Sequence, residues 1–303
     1  MLSVQPGEYA TILACEVPPH IRGIRQYLKK GAAVSIPRPE VHEQVPGGAT
    51  GQILAETYLE HLEIVEELGS TNDRGLERAR EADLPVPALI LARRQTAGRG
   101  RGGNVWQSAP GALTFSLIVP PPEPLPRERW PVASLAAGLA VRSALAQSAA
   151  QGRFQVKWPN DVFLQGKKIA GILTEATNSA KTPRLVIGIG INLNNSLKDA
   201  PAEIQERGIS LIDLLQTPSD ATRMLIDLLV ALESELSLLG QEGGLCRDRW
   251  QSHCLLSGRG ITIRTGTAIQ SAYCRGVAED GAIELETPQG VSRIFAGEVL
   301  EWR

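Results

Sequence analysis

The residues best equipped for chemistry in this sequence fall in five short stretches. Between Gln95 and Gly103 the chain reads QTAGRGRGG, with glycine and arginine alternating through Gly98, Arg99, Gly100, Arg101 and Gly102. Such a segment buries almost no apolar area and loses much backbone entropy on ordering, so its order must come from contacts made with something else. Backbone N–H groups of a glycine-rich loop can converge on an anion, and two guanidinium groups add bidentate donors matched to phosphate or carboxylate. The pattern predicts an anion cradle; the bland alternative is a solvated surface loop. KWPND (Lys157 to Asp161) gathers a lysine, the Asn160 amide and a carboxylate around a proline. GKKIAGIL (Gly166 to Leu173) supplies Lys167 and Lys168, then Gly171, whose missing side chain lets a ligand approach the backbone. GIGINL brings Asn192 to a strand end beside two glycines, and STN (Ser70, Thr71, Asn72) offers three small polar groups, which at a helix start are also good caps.

Several chemistries are excluded by what surrounds these stretches. GRGRGG satisfies the GxGxxG pattern, but it runs into Asn104, Val105, Trp106, a Pro110–Gly111 turn and then a strand. With no helix starting on the loop there is no dipole for a pyrophosphate, which argues against a dinucleotide site. A Walker A loop is absent, and a single Arg-Gly segment in a chain of formal net charge -2 does not describe a nucleic-acid binder. Neither HExxH nor GxSxG occurs, the four histidines do not cluster, and Cys15, Cys246, Cys254 and Cys274 include no CxxC pair. The cysteines read as reduced thiols. No signal peptide is evident, and charges such as Arg142, Asp227 and Glu233 interrupt the apolar stretches, so a cytoplasmic protein with no membrane span is expected.

The elements that must position these groups are partly legible. Residues 1–51 read as an extension of unclear role, with one short helix near Ile21 to Lys30, and 54–68 fits helix or strand equally. ALTFSLIV (112–119) alternates as a half-buried strand does, and 130–149 reads as a buried helix. FQVKW is a short strand, DVFLQGKKIAGILTEA two strands about a Gln165–Gly166 turn, and RLVIGIGINL (184–193) a buried strand. Helices are expected at about 219–239 and 244–253. The last fifty residues become short strands divided by Gly and Asp turns, the pattern of a small β-barrel. The chain thus divides into 1–51, a mixed α/β domain at 52–254 and an all-β appendix at 255–303.

Taken together, STN, QTAGRGRGG followed by Trp106, KWPND, GKKIAGIL followed by Glu175, and GIGINL resemble the biotin protein ligase family, that is, biotin–[acetyl-CoA-carboxylase] ligases. The resemblance runs from about Ile53 to Arg303 and departs from the family pattern at Gly102, where many relatives carry arginine. It implies an α/β catalytic domain of the class II synthetase kind, a mixed sheet with flanking helices, plus an SH3-like C-terminal barrel. It also implies a two-step reaction: biotin and ATP give biotinyl-5'-AMP, and a lysine of a biotin carboxyl carrier protein then takes the biotinyl group. On that resemblance Ser70, Thr71, Asn72, Gln95, Gly98, Arg99, Gly100, Arg101, Trp106, Lys168, Gly171 and Leu173 surround biotin. Arg101, Lys157, Asn160 and Asn192 serve the nucleotide, and Arg99, Arg101, Lys168 and Asp161 carry the catalysis. Asp161 is the candidate to hold Mg2+, directly or through water, or to orient the incoming lysine. A lipoate or octanoate ligase of the same architecture, and a biotin-responsive repressor, remain as alternatives. The repressor is disfavoured because residues 1–51 show no two-helix DNA-binding signal, and the chain is expected to act as a monomer or homodimer.

Overall fold

The computed structural model describes residues 47–177 and 182–303. The predicted helix at Ile21 to Lys30 lies outside them, as does Cys15. Helix α1 (Gly47–Glu56) runs through the expected 51/52 division, and strand β1 (His61–Leu68) follows, so the ambiguous 54–68 stretch is helix first and strand second.

Seven strands form the main sheet in the order β1-β2-β3-β7-β6-β5-β4. They are β1, β2 (Ala88–Gln95), β3 (Leu113–Val119), β4 (Phe154–Lys157), β5 (Asp161–Leu164), β6 (Lys167–Ala176) and β7 (Leu185–Ile191). β1 runs parallel to β2 and every other neighbour is antiparallel. One face is covered by α3 (Val132–Ser148), whose leucines and all of whose alanines but Ala146 are buried, packed against α6 (Ala221–Glu242). Asp220 caps α6, accepting from the N–H groups of Thr222 and Arg223 at 2.9 and 3.1 Å. Short helices α4 (Ala202–Arg207) and α5 (Leu211–Leu215) precede it, and α7 (Arg247–His253) follows. The opposite face carries α2 (Thr71–Arg78), over a smaller core of Ala88, Ile90, Ile118 and Val186.

β3 corrects a sequence expectation. Its alternation suggested one wet face, yet every residue of it is buried. Leu113, Phe115 and Leu117 join the large core, while Thr114 and Ser116 point to the other side and are satisfied there by polar side chains. Alternation marks a change of chemistry across the sheet, and here the polar side is a site rather than bulk water.

The C-terminal strands β8 (Arg259–Thr265), β9 (Ala268–Val277), β10 (Ile283–Thr287), β11 (Gly290–Ile294) and β12 (Glu298–Trp302) form an antiparallel sheet in the order β11-β10-β9-β8-β12. Ile261, Ile263, Ile283, Leu285 and Val299 extend the large core into it. Lys157 Nζ at the end of β4 donates to Val299 O at 3.1 Å, Trp158 Nε1 just beyond it donates to Gly281 O at 3.0 Å, and Leu255 N, in the chain leading into β8, donates to Val156 O at 2.8 Å.

Candidate active site

Strand register builds the floor of the site. Thr114 pairs with Gly190, Gly190 with Gly171, Gly171 with Asp161, and Asp161 with Lys157, a single row across β3, β7, β6, β5 and β4. The adjacent row is Ser116, Gly188 and Leu173. Ile187, Ile189 and Ile191 turn to the core side of β7, so beyond Val186, which packs under α2, the other side of this strand presents the bare backbone of Gly188 and Gly190. Two side chains use that room. A Cβ on Gly188 would sit 2.0 Å from Asn72 Oδ1, and one on Gly190 only 2.3 Å from Trp106 Cε2.

Above the rows lies a cavity of about 520 Å3, a size that suits a small ligand. It is lined by every residue predicted for the site except Gly98 and Asn192. Gly98 shapes the base of the loop instead: its carbonyl accepts from Trp106 N at 2.9 Å, and Arg99 bridges to Val105 across the turn. Asn192 anchors the exit of β7, donating to Ile209 O at 3.3 Å and accepting from Asn195 Nδ2 at 2.9 Å.

One end of the cavity is neutral and densely hydrogen-bonded. Ser70 occupies the N-cap position of α2 without capping through its side chain. Thr71 N donates to Gln95 Oε1 at 2.7 Å, and Ser116 Oγ lies 2.8 Å from Thr71 Oγ1 and 2.7 Å from Asn72 Oδ1. The indole Nε1 of Trp106 is buried with no partner. The other end is charged. Arg101, Lys157, Lys168 and Arg264 line it against the carboxylates of Asp161 and Glu298, a positive focus in a chain of net charge -2, while Arg99 stands by the Asn72 wall.

These cations are not equivalent. Arg99 is bidentate to Glu175 at 2.6 and 3.2 Å and also meets Asp73 at 2.8 Å, so its charge is already matched. Lys157 is sequestered: its ammonium bonds Val299 O and stands 4.9 Å from the ring centre of Trp302 and 5.6 Å from that of Phe163. Burial lowers its pKa, with Asp161 opposing. Arg101 donates to Gly297 O at 3.1 Å and loses some basicity to burial, again opposed by Asp161. Lys168 Nζ lies 2.6 Å from Asp161 Oδ1 as an ion pair. Asn160 spends its amide on Ile172 O at 2.7 Å.

Sequence reasoning missed Thr114, Ser116, Gly188 and Gly190 as parts of the floor, although buried polar residues inside an apolar strand were a usable signal. It also missed Arg264, Gly297, Glu298 and Val299, which come from β8, β12 and the turn before β12 and share no motif spacing. Gly102 departs from the arginine common in the resembling family, and here it takes a left-handed backbone, φ 65°, beside Gly103 at 81°, a conformation that glycine adopts without strain.

A mixed sheet, a glycine-floored trough and a cationic end make a pocket suited to a small ligand with a neutral and an anionic part. Residues 65–192 match the model of the biotin/lipoate A/B protein ligase family. A bifunctional ligase/repressor of Bacillus subtilis is 32% identical over 247 residues, covering 80% of this chain and 75% of its own. A biotin–[acetyl-CoA-carboxylase] ligase of Mycobacterium tuberculosis is 30% identical over 245 residues, covering 80% of this chain and 89% of its own. Among solved structures, the biotin protein ligase of Aquifex aeolicus in complex with biotin and ATP superposes with a TM-score of 0.69 at 29% identity, covering 81% of this chain and 99% of that one. The chain belongs to the biotin protein ligase family.

Proposed function

We propose that this chain condenses biotin with ATP to biotinyl-5'-AMP and passes the biotinyl group to a lysine of a biotin carboxyl carrier protein. The observation that carries this reading is the trough itself, neutral and hydrogen-bonding at one end and cationic at the other, over a glycine floor. Biotin's ureido ring needs fixed donors and acceptors without charge, which Ser70, Thr71 and Gln95 offer, with Trp106 and Leu173 as apolar walls. Its carboxylate must then approach the α-phosphate. Two unit charges 4 Å apart repel by about 4 kcal/mol at an effective dielectric of about 20, so cations must stand between them. Lys168 and Arg101 fill that role: both line the charged end, and their contacts to Asp161 and Gly297 O would yield to the phosphate.

The carboxylate oxygen bonds the α-phosphorus and pyrophosphate leaves. The acceptor amine then attacks the biotinyl carbonyl and AMP leaves. The loop from Gln95 to Gly103 shields the mixed anhydride from water between the two steps. Asp161, which lines the cavity beside Lys168, orients the incoming amine. Magnesium arrives with ATP. Asp161 is the one cavity carboxylate beside Lys168, and among the described residues no three His, Cys, Asp or Glu side chains are grouped to hold an ion. The residues therefore do not form a resident metal site, and no step is assigned to one. We divide the chain into a catalytic domain at 52–254 and a C-terminal sheet at 255–303 that closes the charged end. Among the described residues no helix is long and apolar enough to cross a membrane, and the reaction is placed in the cytoplasm, where ATP and carrier protein are available.

The test is biotin-dependent exchange of labelled pyrophosphate into ATP by purified protein, with lipoate as the parallel substrate. Exchange with biotin alone is expected. Folded protein that exchanges with neither substrate, or equally with lipoate, overturns the assignment.

A further inference from the structure

We propose that Glu175 is a positioning residue that couples order in the glycine-rich loop to the shape of the pocket's neutral end, an inference that rests on the biotin-activating reading above. A closed ring of polar contacts supports it. Gln95, the last residue of β2, accepts from Thr71 N at 2.7 Å. Thr71 Oγ1 meets Ser116 Oγ, which also meets Asn72 Oδ1. Asn72 Nδ2 donates to Glu175 Oε2 at 2.9 Å, and the same oxygen takes Arg99 Nη2 at 2.6 Å. Arg99 lies four residues beyond Gln95, so the ring returns to the base of the loop it started from.

The inner members of the ring are fixed by burial, and its outer pair, Arg99 and Glu175, is partly exposed. Ser116 is fully buried at the centre of β3. Asn72 spends its second amide hydrogen on Leu173 O at 3.1 Å and rests on the bare backbone of Gly188. The Glu175 carboxylate is the joint: one oxygen serves the floor and the loop together, and the other takes a second Arg99 donor at 3.2 Å. When Arg99 leaves, Asn72 faces a carboxylate without its counter-charge, and the amide is free to turn away from Ser116. Loop opening and loosening of the Thr71–Asn72 wall are thus one event. The ring also fixes the direction of Arg99, since its guanidinium is held by Glu175 and Asp73.

Glu175→Gln keeps the volume and an acceptor for Asn72 but removes the charge that holds Arg99. Charge-assisted bidentate pairs at partly exposed positions hold a loop by a modest factor. In ligand-free protein, tryptic cleavage at Arg101 should rise roughly fivefold to tenfold. Escape of biotinyl-AMP, followed by stopped flow, and KM for biotin should rise together by a similar factor, because the loop and the Thr71–Asn72 wall loosen as one. Glu175→Asp, which keeps the charge, should recover most of the retention. Arg99→Gln should match Glu175→Gln, and the double variant should be no worse than either single one, because both break the same contact. Asn72→Ala should raise loop cleavage and KM for biotin together. Unchanged cleavage and unchanged escape in Glu175→Gln, or simple additivity in the double variant, overturns the proposal. The cleavage measurement needs no substrate, so a wild type that fails pyrophosphate exchange refutes the biotin assignment while leaving this coupling to stand or fall on its own.

Discussion

Gly190→Ala tests the floor directly. The added methyl would lie 2.3 Å from Trp106 Cε2, 2.6 Å from Cζ2 and 2.7 Å from Nε1. Carbon atoms in contact prefer roughly 3.5–4.0 Å, so the indole must retreat by more than about 1 Å or the strand must sink. The strand has no room: β7 is central, buried throughout and paired on both sides. The indole is restrained as well, because Trp106 N is held by Gly98 O, and a Cβ at Gly98 would in turn meet Trp106 O at 2.4 Å. Overpacking of this kind costs roughly 1–3 kcal/mol, which for a domain of this size lowers Tm by several degrees. Displacing the indole also narrows the cavity that it lines, and KM for biotin should rise by about tenfold or more, which corresponds to about 1.4 kcal/mol of lost binding. Gly260→Ala is the control, since its methyl meets nothing within 4 Å. The measurements are thermal melts followed by circular dichroism and pyrophosphate exchange against biotin concentration. A Gly190→Ala protein that melts within about one degree of wild type with an unchanged KM refutes the idea that the bare strand carries the tryptophan.

Lys168→Met removes the charge at the carboxylate–phosphate junction while keeping the length of the side chain. Single-turnover formation of biotinyl-AMP should fall roughly a hundredfold with the fold intact, and a loss under about fivefold sinks the role. His253 supplies a pH dependence: burial first, and then Arg142 and Arg249, depress its pKa in the folded state. The unfolded imidazole takes up a proton near pH 6.5 and the folded one only at lower pH, so stability is full above that value and declines as pH falls through the window between the two. Urea midpoints at about pH 7.5 and 5.5 should differ less in His253→Gln than in wild type; His61, depressed by burial and Arg78, leaves a residual slope, and an identical slope in the variant refutes the assignment.

The cationic loop, the KWPND and GKKIAGIL segments and STN were legible because their residue types are costly to explain as packing, and register brings them to one cavity. Helix α3 was legible because an alanine- and leucine-rich run of that length has few other uses. Three things were not. The floor depends on which side of β7 its glycines face, and that is fixed by pairing with β3 and β6 rather than by GIGINL alone. Arg99 and Lys157 read as free cations, yet their partners, Glu175 in β6 and Val299 in β12, lie 76 and 142 residues away in the chain. Asn192 has the right type at the end of a conspicuous motif, but its amide is spent on Ile209 O and Asn195, an arrangement set by the turn before α5. In each case the residue was visible and its partner was not.

The docking of the C-terminal sheet has a consequence for the order in which the molecule is built. Arg101 reaches Gly297 O across 196 residues of chain, and Lys157 reaches Val299 O across 142. Contacts so distant in sequence pay their loop-closure entropy before they return any stability, which makes them late events in folding. Strands β5, β6 and β7 and the hairpins between them are local by comparison and can form without β12. A refolding chain should therefore pass through a species with the main sheet assembled and the charged end of the cavity still open to water. Recovery of far-ultraviolet dichroism should then run ahead of recovery of the ability to retain a hydrolysable intermediate, with the lag set by how fast the last strand brings Val299 and Trp302 to Lys157.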